Sequence, residues 1–487
     1  MDSGVTDGAP AATAHGPSGG KYHPIRIVVL IILLTEVFSF EFNMVMPGLP
    51  NVAAAFRTTA VSLAVSVPLL VSAVVVPLLA KWADIRGKKL TMLGGTGVFL
   101  VGNVLCALAP TYPVFLLGRG LTSFGMVGSV ISYGLIRDLL PPKWVPIGIG
   151  GLGTGIGVGA VIGPLVGGTL TDSFGFRSVF WFMICYAGVI GALVLVFVPE
   201  SRVRIRQRLD FVGATLLGIG VAALIYASIV PSARIVAGVL GILLIVLFVI
   251  VERRTDQPLV SMRLLARPAL SMTLLNSGLV GFIVGAQGVL LPLLLRTPAL
   301  PGRGGLGLSA IGYAVNFSLV MGTCSAVCGF LAGLVSKRSG ARHALLVSTA
   351  GWTVPMVLLA AGVINDNWLV RLVALLMGIA QGFYYASTAN LIIDAVPAKM
   401  QGISASMKYT VEQGIGSIAG AVAGAVIATD IVQVVPGTGA IVYGSTGFRI
   451  AFGLLAVAGA LAVVVVLLMR HGRTPATGGA APDSDPG

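Results

Sequence analysis

"GIGGLGTGIGVGAVIGPLVGG" occupies residues 148–168 and carries no charge. Glycine weakens a helix in water, yet the run has roughly the 20 residues needed to cross a bilayer. In hydrocarbon the backbone must satisfy its own polar groups, which makes such a crossing helical. Small residues let a second helix come close. Pro164 removes one backbone donor and bends the axis. The stretch reads as a kinked, tightly packed membrane helix.

The rest of the chain agrees. Of its 487 residues 56% are hydrophobic and only 10% are charged, with a mean hydropathy of +0.98; soluble domains carry about 25% charged residues. Fourteen apolar helical spans are predicted, over 25–48, 60–80, 90–109, 113–136, 146–170, 178–198, 211–231, 233–251, 269–295, 309–335, 343–363, 368–393, 402–428 and 447–469. Alternating apolar and polar segments are almost lacking, which excludes a β-barrel. The expectation is an all-α integral membrane protein.

The net charge of +14 does not point to nucleic acid, because the Lys and Arg lie in short turns between apolar runs. "KWADIRGKK", "RDLLPPK", "ESRVRIRQR", "ERRTDQPLVSMRLLAR" and "SKRSGARH" follow spans 2, 4, 6, 8 and 10. The opposite turns hold little beyond Arg57, Arg177, Arg234, Arg296 and Arg303. The basic set faces the cytoplasm, and an even number of spans puts both termini there. Cys106, Cys185, Cys324 and Cys328 all fall in apolar runs with no His or carboxylate beside them, which fits packing rather than a disulfide framework or a metal site. The Gly-, Ala- and Pro-rich ends read as disordered tails, over 1–24 and 471–487, and the first of them lacks the layout of a cleaved signal.

Weak internal repetition is visible. "AKWADIRGKK" (80–89) after span 2 and "AGLVSKRSGAR" (332–342) after span 10 both place a small residue, a basic turn, Gly and more basic residues after an apolar run. Two related six-helix bundles follow, 25–199 and 269–470, with 200–268 as an inserted pair and its flanking loops. Parallel halves of this kind are a transporter architecture, with the substrate site between them near the midplane.

The motifs resemble those of the major facilitator superfamily. In 80–89 Asp84, Gly87, Lys88 and Lys89 match its loop between spans 2 and 3, with Ala80 for the usual Gly and Ile85 for the usual Arg. In span 5 Gly150, Gly159, Gly163, Pro164, Gly167 and Gly168 match the antiporter motif at every spacing. In "LLGRGLTSFG" (116–125) Arg119 and Gly125 match the fourth-span motif, while Thr122 and Ser123 depart from it. "RLDFVGATLLG" (208–218), "VERRTDQPLVSMRLLARP" (251–268), "MGIAQG" (377–382) and "QGISASMKYTVEQGIGSIAGA" (401–421) are similar to the fourteen-span drug:proton antiporter branch. The resemblance implies two six-helix bundles plus two inserted helices. It also implies antiport, a loop latch around Asp84, and a first-span acid position that Glu41 fills in "FEFNMVMPGLP" (40–50).

The acids inside apolar spans are the physical signal. A charged carboxylate is costly in hydrocarbon, and burial favours its neutral form. A carboxyl that meets water on one side and a dry cavity on the other can load and drop a proton, and an amphipathic or cationic cargo would compete for the same place. Glu36 and Glu41 are five residues apart, about 140° around a helix, so they need not share a pocket. Glu41 and Arg119 lie at similar depth and can pair; a static buried ion pair is the alternative. Glu36, Glu41 and Arg119 are the proton-coupling candidates. Asn43, Gln287, Asn316, Tyr384, Tyr385 and Glu412 are candidates for a substrate cavity, with Lys408 spaced i,i+4 from Glu412 as in a helical salt bridge.

The expected function is proton-coupled efflux of amphipathic organic compounds or drugs across a bacterial inner membrane by alternating access. The expected partners are the small cargo, protons and membrane lipid, with a monomeric chain and no cofactor beyond the proton gradient. Export of a lipid or natural product, and a non-transporting sensor, stay open. An enzyme is not expected: no nucleophile–base set, metal cluster or phosphate loop is recognisable.

Overall fold

The computed structural model describes residues 23–204, 209–255, 258–298, 305–364, 366–396, 400–434 and 441–473. Most of both expected tails lies outside these residues. Residues 471–473, at the start of the second, are docked: the Gly472 carbonyl accepts from Arg342 N at 2.9 Å, and His471 Nε2 lies 3.1 Å from Thr273 Oγ1.

Among the described residues, thirteen helices are long and apolar enough to cross a membrane. An interrupted run at the start adds a fourteenth. Span 1 comprises Pro24–Thr35, Val37–Val45, a turn at Met46–Gly48, and Leu49–Phe56. Its breaks fall where the sequence disturbs a helix: Thr35 Oγ1 bonds back to the Ile31 carbonyl at 2.6 Å just before Glu36, and Pro47 sits in the turn. Spans 2 to 6 are Leu63–Arg86, Lys88–Leu108, Tyr112–Leu139, Val145–Phe174 and Arg177–Phe197. Spans 7 and 8 are Phe211–Ile229 and Arg234–Glu252. Spans 9 to 14 are Pro268–Arg296, Ala310–Ser339, Ala341–Ala360, Asn367–Ala395, Gln401–Ala428 and Ser445–Leu468.

The turns after spans 2 and 10 are alike. Gly87 (φ 139°) and Gly340 (φ 90°) each separate two spans with a backbone conformation that side chains rarely adopt. At Gly87 a Cβ would also fall 2.8 Å from Glu200 Oε2. The same short basic turn thus recurs at equivalent places, as the sequence repeat anticipates.

Helices up to span 6 pack on one another, and helices from span 9 onward do the same. Spans 7 and 8 pair together, and span 7 lies against both span 2 and span 13, on the seam between the bundles. One element was not anticipated. Between spans 13 and 14, Ile431–Val434 and Ile441–Tyr443 form a small antiparallel ribbon, and its second strand packs on Leu49–Phe56. It covers the end of the molecule opposite the basic turns, here called the far end.

The far end is clasped across the seam. Arg296, at the close of span 9, donates to the Pro47 carbonyl and, at 2.6 Å, to Asn51 Oδ1. Asp172, in the last turn of span 5, accepts from Ala310 N at 3.0 Å and Ile311 N at 2.8 Å, the first amides of span 10. These are the orphan donors of a helix start, where a carboxylate is favoured. A Cβ on Gly168 would sit 2.8 Å from the Ala310 carbonyl, so only glycine lets the two helix ends meet.

At the basic end the loop motif works within its own bundle. Lys88 Nζ lies 2.6 Å from Asp138 Oδ2 and 3.8 Å from Asp84 Oδ1. Glu200 accepts from Lys89 N (3.0 Å) and Leu90 N (2.8 Å), capping span 3.

Candidate functional site

A central cavity of about 260 Å³ lies between the bundles. Phe38, Ser39, Phe42, Asn43 and Met46 of span 1 form one wall; Gln287 of span 9, Gln381 and Tyr385 of span 12, and Glu412 and Gln413 of span 13 face it. Apolar walls with a few convergent polar groups are the usual make-up of a small-molecule site.

Mid-span prolines shape this region through the carbonyls they release. A proline cannot donate to the carbonyl four residues earlier. Pro68 frees the Ala64 carbonyl, which accepts from Arg119 Nε at 3.1 Å. Pro77 frees that of Ala73, which accepts from Thr410 Oγ1 at 3.4 Å across the seam. Pro164 and Pro292 free the carbonyls of Ala160 and Gly288, both on the cavity wall.

Of the six cavity candidates, Asn43, Gln287, Tyr385 and Glu412 line the space. Asn316 and Tyr384 are not among the lining residues. Asn316 is engaged elsewhere: its Oδ1 accepts from Arg371 Nε (3.1 Å) and Nη2 (2.9 Å). Tyr384 sits behind the wall, 1% exposed, and donates to Glu412 Oε2 at 3.2 Å.

The two span 1 glutamates diverge. Glu41 points away from the cavity into span 4 and pairs with Arg119; neither side chain is exposed at all. Glu36 faces span 5. Cβ atoms on Gly155 and Gly159 would lie 3.6 and 3.8 Å from its oxygens, in ordinary contact, which places the carboxyl against this stretch of span 5. Both Glu36 oxygens are buried with no hydrogen-bond partner among the described residues.

The span 5 motif glycines differ in what they do. Gly163 and Gly167 hold spans 1 and 5 together: a Cβ would fall 3.0 Å from Asn43 Cβ at the first and 2.1 Å from the Met44 carbonyl oxygen at the second. Gly150, expected as a packing glycine, has open space around it. Gly167→Ala should therefore cost at least 1–3 kcal/mol, while Gly150→Ala should stay within about 0.5 kcal/mol. Thermal unfolding midpoints of the two variants check this.

Asp172 and Arg296 were not singled out as functional from the sequence. One signal was there: an acid in the last turn of a helix is unfavourable to its own dipole, so Asp172 had to serve another helix.

The Major Facilitator Superfamily pattern matches residues 31–213 and 273–485. The chain belongs to this superfamily. The gap in the match, 214–272, takes in most of spans 7 and 8, the pair on the seam of this facilitator. The MFS-type transporter YvkA of Bacillus subtilis (strain 168) is 25% identical over 396 residues, 79% of this chain and 86% of that protein. The multidrug resistance protein Stp of Mycobacterium tuberculosis (strain ATCC 25618 / H37Rv) is 28% identical over 360 residues, 72% of this chain but just under two thirds (65%) of its own length. Among solved structures, a bacterial homologue of the human lysosomal transporter Spinster, inward-facing and unoccupied, superposes with a TM-score of 0.66 at 15% identity, covering 92% of this chain and 97% of that one. At that identity the likeness shows the fold alone. The facilitator is thus a multi-pass membrane transporter and not an enzyme.

Proposed function

We propose that this facilitator exports amphipathic organic compounds from the bacterial cytoplasm in exchange for protons, by rocking its two bundles, 25–199 and 269–470, about the central cavity. The observation that carries the proposal is the pair of buried carboxyls on span 1, the helix whose Phe38, Ser39, Phe42 and Asn43 line the cavity. A carboxyl buried without a hydrogen-bond partner is tolerable only as the neutral acid. Glu36 would then hold its proton while the far end is shut, and Glu41 would stay the anion that Arg119 compensates. Opening toward the far side would rearrange spans 1 and 5 and expose these groups in turn. The clasp of Arg296 and Asp172 fits the half of the cycle that faces the cytoplasm. The named relative Stp supports drugs as cargo.

The test is cargo uptake into proteoliposomes under an imposed pH gradient, with a substrate panel. Glu36→Gln and Glu41→Gln are each expected to lower gradient-driven uptake at least tenfold while leaving downhill exchange of cargo. Wild-type coupling in either variant would remove that residue from the proton path. No flux of any compound from correctly inserted protein would favour a sensor instead.

A further inference from the structure

Lys408 already does to the cavity wall what a cationic cargo would do. Its Nζ lies 2.6 Å from Glu412 Oε2. The same ammonium sits 4.9 Å from the ring centroid of Tyr384 and 5.3 Å from that of Tyr385. The two rings are 5.3 Å apart and inclined at 63°, forming a corner, and Tyr384 Oη donates to the same carboxylate oxygen. Aromatic faces around a cation, with a carboxylate beside them, are the chemistry that recognises alkylammonium and other organic cations. We propose that Lys408 is a tethered stand-in for cargo: the corner of Glu412, Tyr384 and Tyr385 binds organic monocations, and Lys408 sets their affinity by competing for it. This rests on the transport reading above and names its substrate class.

Three features favour exchange over a fixed ion pair. First, Lys408 has somewhere to go. It lies seven residues into span 13, about 10 Å along the helix from its start at the basic end. Its flexible stem can carry the ammonium toward that end and into water; an Arg fork would be harder to displace. Second, one-for-one replacement keeps Glu412 compensated. Leaving a buried carboxylate unpaired is the costly event, and an arriving cation avoids it. Third, the rest of the cavity favours positive charge. Among the described residues that line it none is basic. Ala160 on one bundle and Gly288 on the other, both lining residues, carry the carbonyls that Pro164 and Pro292 leave without a helical donor. An anion entering the cavity would find no basic side chain on its lining, and the nearby ammonium of Lys408 is already paired with Glu412.

The experiment is equilibrium binding to the purified full-length protein. The probes are tetraphenylphosphonium and tetraphenylborate, which have nearly the same shape and opposite charge. Lys408→Met should tighten tetraphenylphosphonium binding about tenfold, and Glu412→Gln should weaken it by tenfold or more. The double variant Lys408→Met, Glu412→Gln, which leaves no unpaired charge to disturb folding, should bind it more weakly than Lys408→Met alone. Tetraphenylborate should gain nothing from Lys408→Met. Two results would overturn the proposal: tetraphenylphosphonium binding unchanged or weakened by Lys408→Met, or tetraphenylborate bound preferentially and lost with Lys408. The parent reading fails separately. Cation binding with this pattern but no flux in proteoliposomes would end the exporter assignment and leave the cation corner standing. Flux of cargo with no response of binding to Lys408→Met would do the reverse.

Discussion

Arg119→Ala should destabilise the protein by about 3–5 kcal/mol, the usual cost of removing one partner of a buried ion pair. Glu41 and Arg119 are sealed inside the first bundle, with no exposed surface on either side chain. Without the guanidinium, Glu41 is left as an uncompensated charge, and the Ala64 carbonyl loses the donor that stands in for the missing amide of Pro68. Neutralising the acid as well should recover most of the loss, so the double variant Arg119→Ala, Glu41→Gln should be more stable than Arg119→Ala alone. Arg119→Lys keeps the charge but not the Nε bond to Ala64, and a loss of about 1–2 kcal/mol is expected. Thermal unfolding in detergent, with monodispersity on gel filtration, checks the series. A wild-type midpoint for Arg119→Ala would mean that the pair is not what holds spans 1, 2 and 4 together.

Asp172→Ala should release the far end. The carboxylate ties span 5 to the first two amides of span 10 and lies 4.0 Å from Arg296. Hydrogen bonds to a charged group contribute about 1.5–3 kcal/mol each, but Asp172 is 28% exposed and water replaces part of the loss. A net change of about 2 kcal/mol shifts a two-state equilibrium about thirtyfold. The direction is toward states open at the far end, because the contact exists only when that end is shut. Ser39, on the cavity wall, replaced by Cys in a chain freed of its four native cysteines, reports the change. A membrane-impermeant thiol reagent added from the far side should label it many times faster in Asp172→Ala. An unchanged labelling rate would show that Asp172 does not hold the gate.

The number of spans and their order were legible because each crossing needs its own long apolar run, and the chain offers fourteen. The boundaries moved by only a few residues, apart from span 1, whose helix carries on past the turn at Pro47 to Phe56, and span 2, which runs on to Arg86 rather than ending at 80. The pairing of Glu41 with Arg119 was legible from depth alone, since two opposite charges at one level of a bundle have little else to meet. What could not be read was which face of a helix meets which neighbour across the seam. Asp172 and Ala310 are 138 positions apart, and no local pattern links them. Asn316 looked like a cavity residue until Arg371 took it up. Gly150 satisfies the spacing of the span 5 motif but meets no helix. The ribbon of Ile431–Val434 and Ile441–Tyr443 was missed because strands of four and three residues give too little alternation to register. The mid-span prolines were the most useful clue left unread: each names a carbonyl that needs another partner, and two of those carbonyls belong to residues that line the cavity.

The most direct test is whether cargo movement by itself moves protons. Proteoliposomes loaded with a pH-sensitive dye are given an outward cargo gradient and no initial pH gradient. The expected result is that the lumen acidifies as cargo leaves, that a proton ionophore abolishes the change, and that the double variant Glu36→Gln, Glu41→Gln lets cargo leave without any pH signal. Cargo efflux from the wild-type protein with a constant luminal pH, or a full pH signal from the double variant, would contradict proton coupling through span 1.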